Sequence, residues 1–237
     1  MLNPSRLPLR CPNDCMVDGW GAWKWNWPLS DEMKTPGLDR DSATNLSRQA
    51  KTALRRRLSS LRRALPTSAA AERSARIVSR LLCHPWLEAA QSVALYAAMR
   101  AEREPDLTAL HHALRERDVR IFYPFMDKSS NGYTTGFRLL RSSDELTTRG
   151  RPFAEPCPDA PTAQRGDVDV AIVPALGVTQ NGYRLGMGSG FYDSTLPDLC
   201  PPAKSIVIGY DFQLLIELPI EAHDWQCDDV LIDAAGQ

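Results

Sequence analysis

The sequence predicts an α/β layer protein built around a mostly parallel sheet. Two observations carry this. Runs rich in Val and Ile at 168–173 and 205–209 have the length and composition of buried strands. A strand–helix–strand succession over 92–98, 106–117 and 120–125 has the form of a parallel crossover unit.

Taken in order, residues 1–45 stand apart. Pro4, Pro8, Pro12, Pro28 and Pro36 lie among Asp, Asn and Ser, and Trp20, Trp23, Trp25 and Trp27 sit in no helical or strand pattern. This stretch reads as a poorly ordered N-terminal extension, which leaves 46–237 as one α/β domain. Cys11 and Cys15 have no second pair to complete a metal knuckle. A helix is predicted over 47–65, where Leu46, Ala50, Ala53, Leu54, Leu58, Leu61 and Leu65 recur at three- and four-residue steps before Pro66. Its arginines read mainly as a solvated basic face. Lys51 and Arg55, four apart and with no acid nearby in the chain, leave their charge available to an anion. Thr67 or Ser68 can cap a second helix running to about Leu82.

The strand 92–98 follows, and Glu102 falls just beyond its C-terminal end, where ligands gather in open α/β sheets. Glu102 is equally readable as a surface carboxylate paired with Arg100 or Arg103. Asp106 caps a helix through Arg117, and the pair His111-His112 reads as a solvated or edge feature. The strand 120–125 is expected to end at Pro124, and 133–140 supplies an edge strand. Four prolines make 151–165 a long irregular loop. Pro174 closes the strand 168–173. After 205–209 come a short helix around 212–216 and a last strand at 229–233.

Composition narrows the class of function. A formal net charge of −1 over 237 residues argues against a bulk polyanion binder. No apolar run of membrane-spanning length and no secretory leader pattern occur, and six scattered cysteines form no CxxC pair. The expectation is a cytoplasmic protein with reduced thiols and no membrane or nucleic-acid partner.

The chemistry concentrates in Asn181–Asp193, thirteen positions holding four glycines, an arginine, two tyrosines and an aspartate. Glycines at 186, 188 and 190 let a backbone approach a ligand and turn N–H groups toward an anion. Arg184 adds a forked cation and Asp193 a hard oxygen ligand. Read alone, the stretch also suits a tight surface turn. It is not a P-loop, because Phe191 follows Gly190 where Lys-Ser/Thr is required. A dinucleotide fold using Gly186–Gly190 and Asp211 leaves too little room for a crossover helix between Pro197, Pro201 and Pro202. The basic helix 48–63 leaves a nucleic-acid-binding module as the non-enzyme alternative.

The run Gly182-x-Arg184-Leu185-Gly186-x-Gly188-x-Gly190-Phe191-Tyr192-Asp193 resembles the signature of the 5-formyltetrahydrofolate cyclo-ligase family. Lys51-x-x-x-Arg55, Tyr96 to Glu102, Glu155-Pro156, Pro174, Gln213, Leu218-Pro219 and His223-Asp224 fall in the family's order, so the resemblance spans about 47–233. Pro105, Ser189, Ser194 and Ile232-Asp233 depart from it. The resemblance implies a three-layer α/β/α fold of the CoA-transferase-like kind. It also implies ATP-dependent closure of 5-formyltetrahydrofolate to 5,10-methenyltetrahydrofolate by a monomer acting on small molecules, with Mg²⁺.

By that resemblance, Lys51, Arg55 and the loop Arg184, Leu185, Gly186, Met187, Gly188, Ser189, Gly190, Phe191 and Tyr192 hold the ATP phosphates. Ala97, Glu102 and residues 187–191 (Met187, Gly188, Ser189, Gly190, Phe191) contact the folate. Asp193 and Asp224 hold Mg²⁺, and Arg184 and Tyr192 lie along the reacting groups. A folate-binding relative without turnover is the nearest alternative, given Pro105 and Ser194.

Overall fold

Helix α1 (Arg40–Arg63) opens the computed structural model, which describes residues 40–237 except 131, 143–145, 151–152 and 234–237. The helix starts inside the stretch assigned from sequence to the extension; the remainder of that reading, over 1–39, lies outside the described residues. Apolar periodicity could not locate this start, because Leu46 is exposed and the first turns bury no apolar stripe. Periodicity placed the inward face only in part. Leu58 is buried and Leu54 packs beside it as expected, but Leu61 is exposed while Lys51 and Arg62 are buried.

Helix α2 (Thr67–Leu82) begins directly after Pro66, with no side-chain cap from Thr67 or Ser68. Proline needs none, since its fixed φ already suits a helix entry. After α3 (Pro85–Ala89), β1 (Ser92–Ala94) is shorter than expected. Helix α4 (Thr108–Glu116) has Leu107 at its N-cap; Asp106, one residue earlier, accepts from the Thr108 N–H at 2.9 Å. His111 is a core residue and not a solvated one. Its Nδ1 lies 3.1 Å from the buried Tyr123 hydroxyl, and burial lowers its pKa.

Strand β2 (Arg120–Ser129) runs through Pro124 and pairs antiparallel with β3 (Gly132–Leu140). Pro124 lies beyond Phe122, the last residue matched with β1, so its missing N–H breaks no ladder on that side. The short pair β4 (Thr147–Thr148) and β5 (Ala154–Glu155) interrupts the proline-rich loop. Strand β6 (Val170–Pro174) leads into a hairpin of β7 (Gly177–Thr179) and β8 (Arg184–Leu185). Helix α5 (Phe191–Leu199) and β9 (Lys204–Gly209) follow. The helix expected around 212–216 is a 3-10 turn at Asp211–Gln213 running into β10 (Leu214–Leu215), and β11 (Asp229–Ile232) ends the sheet.

The main sheet has the order β11-β9-β6-β1-β2-β3, parallel throughout except for the edge strand β3. Alternate strand residues face opposite cores. Val93, Ile121, Ile172 and Ile206 pack with α2–α4, while Ala94, Phe122, Ala171 and Val207 pack with Phe191, Leu196 and Leu199 of α5. This is the α/β layering with a mostly parallel sheet that the sequence predicts, in the three-layer form that the family resemblance implies.

Candidate active site

A cleft of about 550 Å³ opens at the C-terminal ends of the parallel strands. It is lined by segments following β1 and β6, by one face of α1, by residues 184–193 and by Glu221–Asp224. Lys51, Arg55, Ala97, Arg184–Asp193 and Asp224 all border it, although more than 170 positions of chain separate Lys51 from Asp224.

The glycine stretch is held by covalent geometry at both ends. Gly182 has φ +89°, and a Cβ there would stand 2.3 Å from the Cys227 carbonyl oxygen, so only glycine lets the hairpin pass that segment. Gly190, with φ +69°, is the N-cap of α5, whose first residues Phe191, Tyr192 and Asp193 line the cleft. Between them, residues 186–190 are exposed. Arg55 Nε donates to the Gly186 carbonyl at 3.0 Å and so ties α1 to the loop.

Arg184 is buried. Its guanidinium donates to the Trp225 carbonyl at 2.9 Å and to Asp193 Oδ1 at 2.8 Å, and it stands 5.7 Å from the Tyr192 ring centroid. The same Asp193 oxygen accepts from the Trp225 N–H at 3.0 Å. Lys51 donates to Asp224 Oδ2 at 2.8 Å and lies 3.2 Å from Glu221. Burial opposes charge on Asp224, but Lys51 and the Glu221 N–H outweigh it and hold the carboxyl below its ordinary value. Burial, with Glu104 nearby, raises Tyr192 well above a free phenol, so its hydroxyl stays protonated. All four described cysteines are free thiols; burial pushes Cys227 up to about 11 and Cys200 up to about 12, which makes both poor nucleophiles.

Among the described residues no three His, Cys, Asp or Glu side chains gather as a metal cage. Asp193 and Asp224 nonetheless border one cleft with hard oxygens. That donor set suits an Mg²⁺ ion that keeps water and takes phosphate oxygens, the usual arrangement beside a nucleotide.

Glu102 does not itself line the cleft, although its Oε2 stands 3.9 Å from Nη2 of Arg62, which does. Its carboxylate accepts from Arg63 Nε at 3.0 and 3.1 Å and from Ser59 Oγ at 3.2 Å, and Arg63 holds it below its usual range. The carboxylate that lines the cleft is Glu104, two residues later, together with Arg62. Sequence reasoning passed over both. The available signal was that Arg62 lies four residues after Leu58 and eleven after Lys51, hence on the same face of α1.

Comparison with known proteins now settles the family. The 5-formyltetrahydrofolate cyclo-ligase family profile matches residues 47–233. The chain belongs to that family. A 5-formyltetrahydrofolate cyclo-ligase of Mycolicibacterium smegmatis is 33% identical over 135 residues, which cover 56% of this chain and 70% of the relative. The Escherichia coli K12 protein of the same name is 30% identical over 166 residues, 69% of this chain and 89% of its own. The NMR structure of Aquifex aeolicus 5,10-methenyltetrahydrofolate synthetase superposes with a TM-score of 0.66 at 26% identity, covering 78% of this chain and 90% of that one. The chain is therefore a member of an enzyme family with a ligase name.

Within this cyclo-ligase fold the dinucleotide reading loses its footing. Asp211, the acid a dinucleotide fold would need, is paired with Arg73 at 2.6 Å, and the glycine loop follows an antiparallel hairpin instead of a parallel strand. Of the basic helix, Lys51 and Arg62 are buried and border the cleft, while Arg48, Arg56, Arg57 and Arg63 are exposed. No described helix is long and apolar enough to cross a membrane. The family departures are also accommodated. The Pro105 carbonyl accepts from the Tyr96 hydroxyl at 2.8 Å, and Ser194 donates to the Phe191 carbonyl at 2.9 Å. Asp233 is fully buried against Arg73 and Arg76.

Proposed function

We propose that the protein converts 5-formyltetrahydrofolate and ATP to 5,10-methenyltetrahydrofolate, ADP and phosphate. The observation that carries this reading is the meeting of Lys51, Arg55 and the glycine loop around one cleft that also has a buried, largely apolar end. That geometry supports a triphosphate at the open end and a flat heterocycle inside.

The chemical problem is an inert formamide, with a poor leaving oxygen and a poor electrophilic carbon. In the proposed reaction the formyl oxygen attacks the γ-phosphorus and the bond to ADP breaks. N10 then adds to the activated carbon, its proton is lost, and the C–O bond breaks to release phosphate. Such a step asks the protein for alignment and charge neutralisation more than for covalent help. Lys51, Arg55 and Arg184 supply the cations, and residues 186–190 with the start of α5 supply N–H donors. Met187, Gly188, Ser189, Gly190 and Phe191 are placed to touch both substrates, with Ala97 on the folate side. Tyr192, kept protonated, offers a hydroxyl donor beside the reacting groups. Asp193 and Asp224 would hold Mg²⁺, which when bound neutralises phosphate charge. The ion pairs Lys51–Asp224 and Arg184–Asp193 keep these cations and carboxylates balanced in the free protein.

The test mixes protein, ATP, Mg²⁺ and 5-formyltetrahydrofolate and follows the methenyl product by its absorbance. Product that requires all components is expected. Folate binding without product would favour the relative that has lost turnover.

A further inference from the structure

Charge around Lys51 is not balanced one to one. Lys51, on α1, is buried and meets two carboxylates. Its Nζ donates to Asp224 Oδ2 at 2.8 Å and lies 3.2 Å from Glu221 Oε1. A buried ammonium needs a counter-ion, and Asp224 alone supplies one. Glu221 is therefore a surplus anion on a single cation, and it borders the same cleft.

The two carboxylates are held differently. The Asp224 side chain is 12% exposed, and its Oδ2 also accepts from the Glu221 N–H at 2.8 Å. The Glu221 side chain is 36% exposed. Its Oε2 stands 3.7 Å from Nε2 of the exposed His223, beyond hydrogen-bond reach. The backbone between them is anchored on both sides. Leu218 packs with Leu58 and Leu185, and the Trp225 N–H and carbonyl bond to Asp193 and Arg184. The Glu221 carboxylate can thus leave Lys51 for water by side-chain rotation while the cleft wall stays in place.

We infer that Glu221 is a resident counter-ion of the phosphate-binding lysine: the phosphates of a nucleoside triphosphate displace it on entry, and it returns to Lys51 as the spent nucleotide leaves. This rests on the ATP reading above. There Asp224 has a second task, toward Mg²⁺, but Glu221 has none. A site built only to hold phosphate would keep a surplus carboxylate off its lysine, because the two anions compete for one ammonium. A site that must also let ADP and phosphate go gains from that competition. The pair lowers apparent nucleotide affinity by the fraction of molecules in which Lys51 is occupied. Glu221 acts through Lys51 and touches no reacting atom.

The experiment measures equilibrium affinity of the full chain for ATP and for ADP, each with Mg²⁺, and the rate of ADP release by stopped flow. Wild type is compared with Glu221→Gln and Glu221→Ala, with thermal unfolding recorded for each. Glu217→Gln is the control, since Glu217 is exposed on the same segment but does not line the cleft. Both Glu221 variants are expected to bind ATP and ADP about 3- to 10-fold more tightly, the scale of a part-exposed ion pair that no longer has to be broken. ADP release should slow by a similar factor. Glu217→Gln should match wild type, and in a Lys51→Ala background Glu221→Gln should change nothing.

Unchanged nucleotide affinity in the Glu221 variants overturns the inference and leaves the proposed function standing. Weaker binding does the same, by showing that Glu221 holds Lys51 in place for the phosphates. An equal gain in Glu217→Gln, or a gain that survives in Lys51→Ala, marks a general effect of net charge and also overturns it. A wild-type protein that binds no ATP removes the proposed function and this inference with it.

Discussion

The two ends of the cleft are built by opposite means. The open end, residues 186–190 with Arg55 against them, is backbone: exposed, glycine-rich and shaped by positive-φ turns. The buried end, Tyr96, Arg62 and Glu104, is side chain, and its shape comes from packing between α1 and the segment after β1. A phosphate chain is a diffuse charge that many N–H groups can share, so a flexible backbone cradle suits it. A heterocycle edge is a fixed pattern of donors and acceptors, which needs rigid side chains in a dry place.

This contrast sets the order of expected effects. The largest belongs to Arg184→Ala. It removes a cation from the open end and strands Asp193 and the Trp225 carbonyl, so turnover should fall by about 10³-fold, the scale of losing a preorganised charge. Stability should drop by about 3 kcal/mol, as when one partner of a buried pair is removed. Steady-state kinetics and urea unfolding check both. Turnover within tenfold of wild type would break the claim that the open end works by charge.

Next is Gly182→Ala, which leaves every cleft side chain in place but forces a Cβ against the Cys227 carbonyl at a positive φ. A loss of about 2–3 kcal/mol is expected, measured by chemical unfolding. Lys51→Ala should follow, raising KM for ATP about tenfold while folate affinity stays within about twofold. That asymmetry is what separates the two ends.

The Lys51–Asp224 pair also carries a pH signature. Asp224 sits below its ordinary 3.8 in the folded protein, so its contribution to stability is present above that pH and is lost as pH falls through the lower folded value. Lys51→Ala should therefore be less stable than wild type by about 1.5–3 kcal/mol at pH 6, the worth of a charge-assisted hydrogen bond. The gap should close on acidification below pH 3.8, in unfolding curves recorded across that range. The smallest effect is expected for Asp211→Asn, which touches neither end of the cleft; kinetics should match wild type, and any response to NADH would favour the dinucleotide reading.

The two ends were also unequally legible in the sequence. The open end announced itself because a backbone forced into left-handed turns demands glycine at fixed positions, and Gly182, Gly188 and Gly190 all have positive φ. The sheet was legible for a similar reason: strands buried on both faces, such as β6 and β9, read as unbroken apolar runs. The buried end was silent. Arg62 and Lys51 are charges on the buried stripe of α1, against the apolar periodicity that guided the reading toward Leu61. Glu102 and Glu104 are alternatives that the sequence cannot separate, since their carboxylates stand 3.9 and 3.7 Å from Arg62 Nη2 and, of the two, only Glu104 lines the cleft. His111 was misplaced because its partner, Tyr123, comes from the next strand.

The account's central claim is that one cleft brings a formyl oxygen onto the γ-phosphorus. Its most direct test uses 5-formyltetrahydrofolate labelled with ¹⁸O in the formyl group, turned over with ATP and Mg²⁺, with the released phosphate analysed by mass. The account predicts one ¹⁸O atom in each phosphate. Label released into water, with phosphate left unlabelled, would contradict it.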